Sequence, residues 1–200
     1  MLKRLLTLVL VSVLSTACLA QQHPGAEEFA ARAAEEHGLD AAEVTALLES
    51  ARFKQSIVDA MTRPAEGKDW HEYRPIFLTD KRIRGGVEFW RDNEALIAQA
   101  AERFGVDPQF IVAIIGVETF YGRITGGYRV LDALTTLSFY YPSELRDRSG
   151  FFSGELMNLL VLGQKEGLPV DEVKGSYAGA MGLGQFMPGT ARDYGLVIDG

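Results

Sequence analysis

The run from Asp107 to Gly122, D-P-Q-F-I-V-A-I-I-G-V-E-T-F-Y-G, constrains this chain more than any other stretch. Asp107 is placed to cap a helix, and Pro108 suits the first helical position, where its missing N–H is not needed. Gly122 supplies a stop. The β-branched content would also fit a buried strand, but the length and the Asp-Pro start select helix. On that helix Ile111, Ile114, Ile115 and Glu118 share one face. The expectation is a buried apolar stripe that continues into a carboxylate. A carboxylate so placed must be paired, desolvated enough to keep its proton, or set along a cleft. The last two are what a general acid needs near neutral pH. The bland alternative for Glu118 is an ion pair with an arginine such as Arg123.

The 200 residues, 47% hydrophobic and 24% charged, suffice for one domain, or for one and part of another. Lys3 and Arg4 precede an apolar run from Leu5 to Leu14, and small residues follow at Ser15, Thr16 and Ala17. Residues 1–20 are thus expected to be a secretory signal, too short to span a membrane. Two processing routes are open. Cleavage after Ala20 leaves a soluble chain starting at Gln21. Alternatively Leu14-Ser15-Thr16-Ala17-Cys18 acts as a bacterial lipobox, and Cys18 becomes a lipidated N-terminus at the outer membrane. Either route exports the protein to the periplasm or cell envelope. Loss of Lys3 and Arg4 takes the formal charge from −7 to −9. So acidic a chain is a poor partner for nucleic acid. Cys18 is the one cysteine, so the mature fold has no disulfide and no thiolate metal site.

Helical spacing appears at 27–36 and 41–50, separated by Gly38, with Asp40 placed to cap the second. A third short helix is expected over Arg52 to Met61. Trp70-His71-Glu72-Tyr73-Arg74-Pro75 should not run on as helix through Pro75. Trp70, Tyr73 and Phe77 are expected as core anchors, with sugar stacking as the alternative. Thr79 to Ala101 is a long helical candidate, in which Gly85 and Gly86 either break the helix or permit a close crossing. His23, His37 and His71 lack partners at ligand spacing and are expected to be solvated or capping, so no metal site is expected. Val130 to Phe139 and Phe151 to Gly163 return to helical patterns. Between them Tyr140-Tyr141-Pro142 and the charged residues 144–148 form a polar connection. Gly175 to Pro188 then supplies four glycines, small residues and Gln185, a loop leading into a tightly packed helix. Its spacing does not fit a phosphate cradle. It either holds a polar polymer such as a glycan, through Ser176, Gln185 and backbone amides, or is a close-packed helix start.

Together these stretches resemble the lytic murein transglycosylase B family (glycoside hydrolase family 103). The resemblance rests on I-I-G-V-E-T-F-Y-G at 114–122, F-Y-Y-P at 139–142, F-F-S-G-E-L at 151–156 and G-S-Y-A-G-A-M-G-L-G-Q-F-M-P at 175–188. W-H-E-Y-R-P at 70–75 and I-R-G-G-V-E-F-W at 83–90 also fit, and the likeness extends over roughly residues 27–200. It implies a mainly α, lysozyme-like domain whose central helix carries the catalytic glutamate at the base of a glycan groove.

By the same resemblance Glu118 is the single acid/base, and Ser176 and Gln185 bind glycan beside it. Tyr177 and Met181 lie in the same motif. Arg146 and Arg148 substitute for the basic pair that usually follows the Tyr-Pro. The substrate implied is the peptidoglycan glycan strand, cleaved by a monomer without a cofactor. The family's Asp-rich calcium loop would begin near Asp199, so no calcium site is expected in 21–200, which is taken as a catalytic domain incomplete at its C-terminus. Missing groove wall would leave apolar surface exposed. Tyr121, Tyr128, Tyr140, Tyr141 and Tyr194 are assigned no catalytic role. Two other functions compete: a lysozyme-like hydrolase, which needs a second carboxylate such as Asp132 or Glu155, and a non-catalytic peptidoglycan-binding envelope protein.

Overall fold

The computed structural model describes residues 22–63 and 69–195. The leader, Cys18 and Asp199 lie outside them. Within the described residues ten helices and one two-residue strand pair follow in order: α1 (Ala26–His37), α2 (Ala41–Ser50), α3 (Gln55–Thr62), α4 (Trp70–Phe77), α5 (Asp80–Asp92), α6 (Glu94–Phe104), α7 (Pro108–Thr119), β1 (Tyr128–Arg129), α8 (Val130–Phe139), α9 (Ser149–Glu166), β2 (Lys174–Gly175) and α10 (Pro188–Tyr194). The mainly α expectation holds.

The helix at the centre is α8, not α7. Every residue from Val130 to Leu137 is buried. Around it α1, α2, α3 and α9 contribute Phe29, Leu48, Ile57, Phe152, Leu156 and Leu159 to one core. Leaving the interior would expose roughly 1.5–3 kcal/mol of transfer free energy for each such large side chain. Asp40 caps α2 as expected, its carboxylate accepting from the amides of Ala42 at 2.7 Å and Glu43 at 3.0 Å. Asp107 does not cap α7 in this way; its carboxylate accepts instead from the Gln109 side chain at 3.2 Å.

Helix α7 turns a different face inward from the one expected. Val112, Gly116 and Thr119 are buried, whereas Ile114 is 55% exposed and Glu118 is also exposed. Two glycine-containing helices explain the rotation: Gly116 lies against Tyr121, whose ring also covers Gly85 and Gly86 of α5. The glycine pair therefore permits a close crossing and does not break the helix. The break in the long candidate falls at Asn93, which ends α5 and precedes α6.

Three further expectations change. Pro75 lies inside α4. In a helix of two turns the ring removes only the bond that residue 75 would have made to His71, and the exposed helix has room for the distortion. Trp70 is 71% exposed and anchors no core; it begins a row of rings with Tyr73 at 6.4 Å and Phe77 at 5.0 Å further on. His23 is not solvated. It is buried on Phe139, with one ring nitrogen 3.1 Å from the Tyr140 hydroxyl and the other 3.2 Å from the Ala51 carbonyl.

Candidate active site

Helix α7 ends at Thr119, three residues before the expected glycine stop. Phe120 and Tyr121 then adopt left-handed backbone at φ 50° and 59°. Gln185 at φ 50° is the third such residue, and these three are the non-glycine positive-φ positions among the described residues. Each costs on the order of 1–3 kcal/mol, and such strain persists only where surrounding contacts enforce it. Here the contacts are explicit. The amides of Phe120 and Tyr121 donate to the carbonyls of Gly116 at 3.2 Å and Ile115 at 3.3 Å.

Thr119 joins this turn to the glycine-rich loop. Its hydroxyl donates to the Leu183 carbonyl at 3.0 Å and accepts from the Gly122 amide at 3.0 Å. The Gln185 amide donates to the carbonyls of Thr125 at 3.1 Å and Gly182 at 2.9 Å, leaving its oxygen as an acceptor. Strands β1 and β2 complete the seam, Tyr128 opposite Gly175. The backbone approach that Gly126 permits is thus to the chain's own residues 175 and 176.

Glu118 sits at the edge of this seam. Among the described residues its carboxylate has neither a hydrogen-bond nor an ion-pair partner. Arg123 does not take it; that guanidinium lies 3.7 Å from Glu88. The two alternative carboxylates are engaged. Asp132 is buried, accepts from the Arg52 amide at 2.9 Å and pairs with Arg129, which also donates to the Ser50 carbonyl. Glu155 is buried and accepts from the Gly189 amide at 2.7 Å at the start of α10. Neither is free to activate water.

The other candidates separate into three groups. Ser176 braces its own loop, its oxygen accepting from the amides of Ala178 at 3.3 Å and Ala180 at 3.1 Å. Tyr177, Arg146 and Arg148 line one cavity of about 460 Å³ with Tyr141 and Phe151. Met181 belongs to a different groove of about 870 Å³, with Leu183 and Phe186 against α9 and α10. Glu118 lines neither. Thr119 and Tyr121 escaped the sequence reading as site residues, although Thr119 continues the Val112–Gly116 row at helical spacing.

The loop carrying the arginines is held by Asp147, whose carboxylate accepts from the Ser149 amide at 2.8 Å. This backbone hydrogen bond holds its pKa below the ordinary 3.8. A lowered folded-state value means that the stabilisation is complete above the ordinary value and fades as pH falls through the folded one. We therefore expect the difference in unfolding midpoint between wild type and Asp147→Ala to shrink on acidification below 3.8, measured by denaturation at a series of pH values.

The described residues form a helical domain in which the unpartnered Glu118 lies one residue before the end of α7, where Thr119 bonds to a braced glycine-rich loop. Residues 21–200 match the transglycosylase SLT domain family, and the chain belongs to it. It is 38% identical over 188 residues to Escherichia coli membrane-bound lytic murein transglycosylase B, covering 89% of this chain and 51% of that protein. The structure is similar to soluble lytic transglycosylase SltB1 of Pseudomonas aeruginosa, with a TM-score of 0.83, 46% identity, and coverage of 88% of this chain and 59% of that one. It is also similar to Escherichia coli lytic transglycosylase Slt35 in complex with bulgecin A, with a TM-score of 0.79, 40% identity, and coverage of 87% and 55%. The chain thus spans about half the length of its curated relative.

Among the described residues, no group of three or more His, Cys, Asp or Glu is placed to hold a metal ion. No helix among them is long and apolar enough to cross a membrane.

Proposed function

We propose that this protein is a lytic transglycosylase that cleaves the β-1,4 bond between N-acetylmuramic acid and N-acetylglucosamine in peptidoglycan. The observation that carries the reading is the solvent-facing Glu118 carboxylate, unpartnered while Asp132 and Glu155 are both engaged. The similarity to an enzyme named for murein supports the substrate.

In this mechanism protonated Glu118 gives its proton to the glycosidic oxygen as the C1–O bond breaks, and N-acetylglucosamine leaves with a free 4-hydroxyl. The carboxylate then takes the proton from the muramoyl 6-hydroxyl, whose oxygen bonds to C1 and closes a 1,6-anhydro ring. Glu118 ends as it began, and no water is consumed. One carboxylate suffices because the nucleophile is part of the substrate and its effective concentration is high. Gln185, with a free carbonyl oxygen, and the Ser176 hydroxyl bind the strand beside it. Tyr177, Arg146 and Arg148 extend the contact. The enzyme acts as a monomer in the cell envelope, exported on residues 1–20 and, where Cys18 is lipidated, held at the outer membrane.

The test is mass spectrometry of products released from purified sacculi by the full chain. Anhydromuropeptides are expected. Products with reducing ends would overturn the mechanism in favour of hydrolysis, and glycan binding without products would overturn the enzyme reading.

A further inference from the structure

The Glu118 carboxylate has no side-chain partner to aim it among the described residues, so what fixes its starting point is the backbone at the end of α7 and the turn that follows. That turn is strained at two consecutive residues. Whatever clamps it therefore helps to fix the helix end that carries the acid. Three cations reach the Phe120 ring of that turn, Lys81 at 5.6 Å, Arg123 at 5.0 Å and Arg82, in the first turn of α5, at 4.6 Å; of these Arg82 also bonds to the backbone of α7.

Its guanidinium donates to the Gly116 carbonyl, two residues before Glu118. The same carbonyl receives the amide of Phe120 at 3.2 Å, so one oxygen joins the arginine to the strained turn. The guanidinium also lies over the Phe120 ring, 4.6 Å from its centroid, and over Phe77 of α4 at 5.3 Å. A planar cation between two rings is held flat, which a lysine cannot reproduce. It is also a positive charge beside the carbonyl end of α7, where the helix dipole favours it. The backbone of Arg82 is fixed in turn, its amide donating to the Thr79 side chain at 3.2 Å in the cap of α5.

We propose that Arg82 is a positioning residue for Glu118. It holds Phe120 in the left-handed conformation through the ring stack and the Gly116 carbonyl, and so keeps the carboxylate aimed at the glycosidic oxygen. It touches no substrate itself. The inference rests on the reading of Glu118 as the acid/base.

The experiment compares the full-length wild type with Arg82→Met, Arg82→Lys and Glu118→Gln on soluble, uncross-linked peptidoglycan strands. Release of anhydromuropeptides gives kcat and KM well below each variant's thermal midpoint, and hydrogen–deuterium exchange follows the Phe120 and Tyr121 amides. Misplacement of an otherwise intact acid predicts a kcat lowered by about 10²-fold in Arg82→Met with KM held. Lysine, which can still donate one bond to Gly116, should restore part of it. Faster exchange should be confined to the turn. An unchanged kcat in Arg82→Met, or a loss carried by KM alone, overturns the proposal. If the wild type itself releases no anhydromuropeptides, the reading of Glu118 fails separately. Exchange then decides the clamp, and Phe120 and Tyr121 amides as protected in Arg82→Met as in wild type overturn it.

Discussion

Glu118→Gln is expected to leave the fold intact and to lower release of anhydromuropeptides by about 10³-fold, within the range for loss of general acid–base catalysis. The two halves of this expectation come from the same observation. An exposed carboxylate with no partner among the described residues supports nothing, so replacing it should shift stability by no more than about 0.5 kcal/mol. The amide has nearly the same shape and leaves the surface complementary to the glycan. It cannot give a proton to the leaving oxygen or take one from the 6-hydroxyl, so both steps fail together. Thermal midpoint and sacculus binding measured beside turnover separate the chemistry from the fold. A variant that kept more than about a tenth of the wild-type rate would sink the assignment, since no general acid worth so little is worth building.

The parts of this arrangement that follow local rules were legible in the sequence. Helix α8 occurs over Val130–Phe139 as its spacing predicts, and α2 begins at the residue after Asp40 because a carboxylate there satisfies the free amides of the first turn. Glu118 was legible as a carboxylate on an apolar helix, yet the face was misassigned. Periodicity identifies which residues share a side, not which side is inward. That was settled by Gly116, Gly85 and Gly86 accommodating the Tyr121 ring, a contact between separate helices that no local pattern announces. The end of α7 was missed for a related reason. Gly122 is the residue that would adopt the left-handed conformation at little cost, but tertiary contacts force Phe120 into it first. Asp132 and Glu155 look alike in the sequence as spare carboxylates. Only their partners, Arg52, Arg129 and Gly189, show both to be structural.

The seam between the two halves of the site should fail most severely at Gly126. Its φ is +98°, and a Cβ added there would lie 2.0 Å from both the carbon and the oxygen of the Gly175 carbonyl and 2.5 Å from the Ser176 amide nitrogen. All three are backbone atoms, so no rotamer change can relieve the contact. Nor can the facing strand withdraw freely. Gly175 is paired with Tyr128, the Val130 amide donates to the Val173 carbonyl at 2.9 Å, and the Ser176 amide to the Ala180 carbonyl at 2.8 Å. Gly126→Ala must therefore separate β1 from β2, and strain and overpacking together should cost about 4 kcal/mol. For a domain of this length that lowers the thermal midpoint by roughly 8–16 °C. Activity should fall even where the protein remains folded, because the Thr119–Leu183 and Gln185–Thr125 bonds depend on the same seating. Gly127→Ala is the control: nothing lies within 4 Å of its added Cβ, and its φ is not positive. There alanine should leave the midpoint unchanged or raise it by restricting the unfolded chain. Equal midpoints for the two variants, read by differential scanning calorimetry, would show that the close approach at residue 126 does not hold the loop at the end of α7.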